Sequence, residues 1–245
     1  MKFDLKIQQI LEKLAAYHGS TTNFNTFNTV LPTRNPITKK RQDLITNGNN
    51  MMGWGIYFTS DIQRAKNFAN YNNSPEKANV YNVEIDADLN ELLDWYKPLS
   101  EQSLEVRRGL IAVANYNPKF LTWLRGTAND PRIRDKFGNY TKYNDNNFNG
   151  NFEWGGAIAY KSLATCLNPK NSKEAYRSAS EVLYRIGKIK GTFCNKPSDY
   201  GFHNVPLNQG EAYYCIFDPK LISIDGVNQN LQPNNQAIKS NIKLE

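Results

Sequence analysis

The sequence predicts an α+β fold, on three observations. Alternating apolar runs of strand length and longer runs with helical spacing follow one another in irregular order. No Gly-x-Gly-x-x-Gly stands between a strand and a helix, because Gly53-Trp54-Gly55 runs straight into Ile56-Tyr57-Phe58. That disfavours a doubly wound dinucleotide-binding sheet. A chain of 245 residues is long enough to bury a substantial core and is near the upper end of single-domain size.

The elements are expected in the following order. The helix-like run Leu5 to Ala16 predicts a helix over about residues 4–16, ahead of a first strand at 16–20. Residues 21–50 are Asn- and Thr-rich and are expected to form a polar loop region. A strand at 56–58 leads at once into a helix at 61–70. Val80 to Asp86 alternates with period two, the mark of a half-buried strand. Helical patterns follow at 101–115, 118–124, 158–166 and 173–186, and strands at 189–194 and 213–218. Residues 129–153, dominated by Asn, Asp, Gly, Lys and aromatics, are expected to be an irregular insertion. The domain is expected to span 1–225, with 226–245 an Asn/Gln-rich, loosely held tail.

Two short motifs carry the functional signal. In Gly53-Trp54-Gly55-Ile56-Tyr57-Phe58-Thr59-Ser60, a glycine-flanked strand delivers a tyrosine; Phe68 follows eleven residues later on the next helix. A strand end and the back of a helix can converge on one flat slot, suited to a planar heterocycle. The competing reading is that these aromatics pack in the core. Upstream lies Tyr17-His18-Gly19-Ser20, where a side-chain donor sits beside a glycine that permits close approach to the backbone. The chain has only two histidines, His18 and His203.

Together these motifs resemble the ADP-ribosyltransferases of the diphtheria-toxin and poly(ADP-ribose) polymerase type, the clade named for its His-Tyr-Glu triad. His18-Gly19-Ser20, Gly53 through Phe58, and Phe68 correspond to that pattern, and Tyr214-Cys215-Ile216-Phe217-Asp218-Pro219 fits its C-terminal strand, with Leu221 to Ile224 continuing it. Ala179 to Leu183, Gly187 to Gly191 and Leu92 to Gln102 also look similar to bacterial and phage-borne members. The resemblance implies a split antiparallel core with surrounding helices clasping an NAD cleft. It implies NAD as co-substrate, held by His18, Gly19, Ser20, Gly55, Tyr57 and Phe68. No metal is implied, and Cys166, Cys194 and Cys215 have no metal-ligand spacing.

One departure bears on mechanism. The family's glutamate position falls on Tyr213, and Glu211 lies two residues earlier. Strand side chains repeat every second residue, so Glu211 and Tyr213 share a face. A bulge or a shifted register could bring Glu211 into the site. Alternatively Tyr213 replaces the acid, or Glu211 is a solvated residue at a strand entrance. Breaking the nicotinamide–ribose bond passes through an oxocarbenium-like sugar. Tyr57 and Phe68 would hold the nicotinamide, and His18 the adenosine ribose. A carboxylate would anchor the ribose hydroxyls and favour the developing charge.

A net charge of +7 and a pI near 9.2 point to a polyanionic partner. Cations and aromatics cluster at Arg34 to Arg41 and from Lys119 to Tyr143, a mixture suited to single-stranded nucleic acid. An ordinary basic surface or an acidic protein acceptor fits the charge as well. The expected activity is single ADP-ribose transfer, by a bacterial toxin or phage-conflict effector, to a nucleic acid with RNA slightly favoured. A protein acceptor and a degenerate NAD- or ADP-ribose-binding module are the alternatives, and an antitoxin or inhibitor is a possible partner. No run of about 18 apolar residues and no secretory pattern occur, so a cytoplasmic protein with reduced thiols is expected.

Overall fold

A computed structural model describes residues 13–28, 52–70, 78–125, 155–168, 172–195 and 210–229. Its strands are β1 (Leu14–Ser20), β2 (Ile56–Thr59), β3 (Asn79–Ile85), β4 (Leu92–Asp94), β5 (Gly191–Cys194), β6 (Tyr213–Ile216) and β7 (Ile222–Gln229). Its helices, among the described residues, are α1 (Ile62–Ala69), α2 (Leu104–Tyr116), α3 (Pro118–Leu124), α4 (Gly156–Leu167) and α5 (Ser172–Arg185). The strands form one open seven-stranded sheet in the order β4-β5-β6-β2-β1-β3-β7. The mixture of helices with a largely antiparallel sheet is the α+β class the sequence predicts.

At its centre the sheet is nearly parted. β1 pairs with β3 along its whole length, from Leu14 opposite Ile85 to Ser20 opposite Asn79. β2 pairs with β6 along its whole length, from Ile56 opposite Ile216 to Thr59 opposite Tyr213. Between β1 and β2 the only ladder pair is Tyr17 opposite Thr59. Beyond that pair, His18, Gly19 and Ser20 of β1 and Ile56, Tyr57 and Phe58 of β2 add no further ladder pair to each other.

Period-two alternation gives the sheet two faces. On one face Ile56, Phe58, Tyr81, Val83, Ile85, Tyr214 and Ile216 form a buried cluster with Ala16 and Phe27. On the other, Tyr213 and Cys215 pack with Leu110 and Val113 of α2, Phe120 of α3, Leu163 of α4 and Leu183 of α5. Each fully buried Leu there contributes about 1.5–3 kcal/mol. A third small cluster, Ala65, Ala69, Ala78 and Val80, seats α1 on β1 and β3. Local signals start the helices: Asp61, Ser103 and Asn117 cap α1, α2 and α3 by accepting from backbone N–H groups, and Pro118 opens α3.

Four expectations are corrected. Residues 14–16 belong to β1 and not to the end of a helix, while 4–12 lie outside the described residues. The β4–β5 pair is parallel, so the sheet is not wholly antiparallel. Leu221 to Ile224 does not continue β6: the chain turns through the short 3-10 helix Pro219–Leu221, and β7 pairs with β3 at the far edge. β7 also runs on to Gln229, past residue 226, where the tail is expected to begin. The insertion at 129–153, the Arg34 to Arg41 cluster, His203 and most of the Lys119 to Tyr143 cluster lie outside the described residues.

Candidate functional site

The loop before β2 is built to present Tyr57. Gly53 has φ +110, a left-handed conformation that a side chain would strain. A Cβ on Gly55 would stand 2.4 Å from the Ile216 carbonyl oxygen, so β2 and β6 close only around a glycine there. The Tyr57 hydroxyl donates to the Gly53 carbonyl at 2.7 Å and accepts from the Met52 N–H at 3.0 Å. Burial pushes its pKa well up. With the hydroxyl engaged in the loop, Tyr57 has its ring to offer. That ring and Phe68 are both partly buried against the helical-face cluster, and Phe68 meets Tyr213 edge-on at 6.2 Å.

His18 occupies the other face. Strand alternation places it beside Phe58, with Phe27 edge-on at 5.2 Å and Phe24 and Tyr81 completing the walls. Its Nδ1 lies 2.7 Å from the Tyr57 carbonyl oxygen, reaching from β1 to β2 beyond their ladder pair. A carbonyl only accepts, so Nδ1 carries the proton and Nε2 is left as a lone-pair acceptor. Nε2 is buried and has no hydrogen-bond partner among the described residues. Burial lowers the His18 pKa, the Tyr57 carbonyl opposing it more weakly, so the ring is neutral at pH 7. An orphaned acceptor in an aromatic enclosure suits a hydroxyl donor.

The role expected of Gly19 is altered by its packing. A Cβ there would lie 1.8 Å from the Ala65 carbonyl oxygen, so the space beside Gly19 is taken by the backbone of α1. Glycine at 19 is required for α1 to cross β1. Ser20 is buried and its Oγ accepts from the Thr22 N–H at 3.1 Å.

The decisive contact on the helical face involves a residue the sequence reading passed over. Arg64, in the first turn of α1, reaches Oε2 of Glu211 with both Nε and Nη2 at 2.6 Å. Its Nη1 donates to the Tyr213 hydroxyl at 3.3 Å, and its guanidinium carbon lies 5.8 Å from the Tyr213 ring centroid. The Arg64 and Glu211 side chains are 10% and 11% exposed, so the ion pair is formed away from bulk water. Burial lowers the Arg64 pKa, but its contacts with Glu211 and Tyr213 outweigh that and raise it overall. Burial raises the Tyr213 phenol, against the pull of Arg64. The only sequence signal for Arg64 was its place four residues before Phe68, which puts both on one side of α1.

The structure thus gathers Tyr57, Phe68, Arg64, Glu211 and Tyr213 on the helical face. His18 and Ser20 lie on the opposite face, and His18 meets Tyr57 through its backbone and not its ring. Gly55 lies behind Tyr57 against β6. No group of three or more His, Cys, Asp and Glu residues able to hold a metal occurs among the described residues. No helix among them is long and apolar enough to cross a membrane. Comparison with family models, curated proteins and solved structures returns no match.

Proposed function

We propose that this chain is an NAD-dependent mono-ADP-ribosyltransferase, acting in the cytoplasm as a bacterial toxin or phage-conflict effector. It transfers ADP-ribose to a nucleic acid, with RNA slightly favoured, and releases nicotinamide. The observation that carries the reading is His18 Nε2, a buried acceptor without a partner where β1 and β2 part. Leaving such a group unsatisfied costs about 1–3 kcal/mol. A ribose hydroxyl is the donor it calls for.

The remaining residues fit NAD by their chemistry. The Tyr57 and Phe68 rings supply flat apolar surface for the nicotinamide. Glu211 accepts from the hydroxyls of the reacting ribose. In the reaction the nicotinamide–ribose bond breaks with its electron pair leaving on nicotinamide. An acceptor oxygen or nitrogen bonds to the ribose carbon and gives up its proton to solvent water. Holding the rings in place turns that encounter into an effectively intramolecular one. The +7 charge draws a polyanionic acceptor toward the protein, and an acidic protein answers the same field. An antitoxin or inhibitor would be the natural partner of such an enzyme.

A second reading is favoured by the Arg64–Glu211 pair. With Oε2 already held by Arg64 and a tyrosine at the family's acid position, the cleft would bind NAD or ADP-ribose without turnover. Labelled NAD offered with separate pools of RNA, single-stranded DNA and protein separates the two readings. Transfer into one pool, lost in Tyr57→Ala, supports the transferase and names its acceptor class. NAD binding without transfer supports the binding module. No NAD binding contradicts both.

A further inference from the structure

We infer that Arg64 is the positioning residue of this site, seating the Glu211 carboxylate so that Glu211, and not Tyr213, performs the acid's part. The inference rests on the transferase reading and deepens it. It begins from β6, where Tyr213 is the residue in register, opposite Thr59 of β2. The pairing does not end there. Ser60 donates its N–H to the Ala212 carbonyl at 3.0 Å, and the Ala212 N–H donates to Ser60 Oγ at 2.8 Å. The chain therefore approaches β6 already extended along β2, and Glu211 arrives on Tyr213's side of the sheet, where both meet Arg64.

The guanidinium geometry is specific. Nε and Nη2 converge on one oxygen, Oε2, while Nη1 is spent on Tyr213. One planar group thereby fixes a carboxylate and a phenol relative to each other and to α1, which also carries Phe68. A lysine would bring the charge without the fork. Stability gives little reason for this pair, because taking both ions out of water offsets most of their attraction. A buried, oriented ion pair beside two aromatic rings is the arrangement expected where a carboxylate must stay ionised and aimed.

Tyr213 is poorly suited to the role itself. Its phenol is held in the neutral form by burial and cannot balance a developing cation as a carboxylate does. Its hydroxyl instead braces the far side of the guanidinium.

The test measures nicotinamide release, NAD affinity and thermal unfolding for wild type, Glu211→Gln, Arg64→Met, Arg64→Lys, Tyr213→Phe and the double variant Arg64→Met/Glu211→Gln. Glu211→Gln is expected to lower kcat by about 10²–10³-fold with little change in NAD affinity. Arg64→Met is expected to lower kcat by about 10²-fold through misplacement of Glu211, and Arg64→Lys to recover part of that. Tyr213→Phe is expected to lose less than Glu211→Gln. The double variant removes the uncompensated buried charge, so its melting temperature should return toward wild type while kcat stays low. Recovery of kcat along with stability in the double variant would show a merely structural pair and overturn the inference. A larger loss in Tyr213→Phe than in Glu211→Gln would also overturn it. Wild type that binds NAD and releases no nicotinamide overturns the transferase reading and this assignment together.

Discussion

Replacing Gly19 with alanine tests the packing of α1 on β1, on which the whole arrangement depends. The added Cβ would sit 1.8 Å from the Ala65 carbonyl oxygen and 2.8 Å from the Ala69 N. Both obstacles are backbone atoms of α1, so no side chain can swing aside. The helix must retreat by about 1.6 Å, the difference between 1.8 Å and the 3.4 Å of ordinary contact. Ala65 and Ala69 are fully buried, and the retreat opens their cluster with Ala78 and Val80. Overpacking of this kind costs about 1–3 kcal/mol, and the rigid obstacle places the expectation at the upper end. A domain of ordinary stability, about 5–15 kcal/mol, would survive that loss. The same movement carries Arg64 away from Glu211, stretching contacts of 2.6 Å beyond hydrogen-bonding reach. Equilibrium urea unfolding gives the stability and nicotinamide release gives the activity. Both should fall together, the second by about 10²-fold. Stability within about 0.5 kcal/mol of wild type would refute the packing of α1 against Gly19.

Two further predictions use the same faces. His18 has a pKa lowered by burial, so the unfolded chain takes up a proton on it before the folded one does. Its contribution to stability is complete above the unfolded value near 6.5 and is lost as pH falls below it. Urea unfolding at pH 7.5 and pH 5.5 should show a smaller acid loss for His18→Gln than for wild type; an equal loss would contradict a buried neutral His18. Tyr57→Phe removes the hydroxyl's hydrogen bonds to the Met52 N–H and the Gly53 carbonyl and keeps the ring. It should cost about 1–3 kcal/mol in urea unfolding while NAD affinity falls far less than in Tyr57→Ala. An equal loss of affinity in the two variants would show that the hydroxyl, and not the ring, matters for binding.

Much of the site's layout was written in local sequence. Asp61 and Pro118 announce helix starts because capping and a fixed φ act within one turn. Period two alone put Glu211 and Tyr213 on one side, and both are found at Arg64. The failures are tertiary. Leu14-Ala15-Ala16 carries strong helix formers, yet pairing with Ile85, Glu84 and Val83 of β3 draws it into β1. β4 has three residues, too few for any periodicity, and its parallel partner β5 lies almost a hundred positions away in the chain. Gly19 reads as an opening for a ligand until α1 is seen filling the space beside it. Arg64 and Glu211 are 147 positions apart, and no local pattern links a helix cation to an acid at a strand entrance.

The most direct test of the account is nicotinamide release from NAD, followed by chromatography, for wild type, His18→Ala and Tyr57→Ala. The account predicts release by wild type, a loss of NAD affinity in His18→Ala as the orphaned acceptor disappears, and loss of release in Tyr57→Ala. Release that is undiminished in both folded variants would contradict the placement of the site where β1 and β2 part.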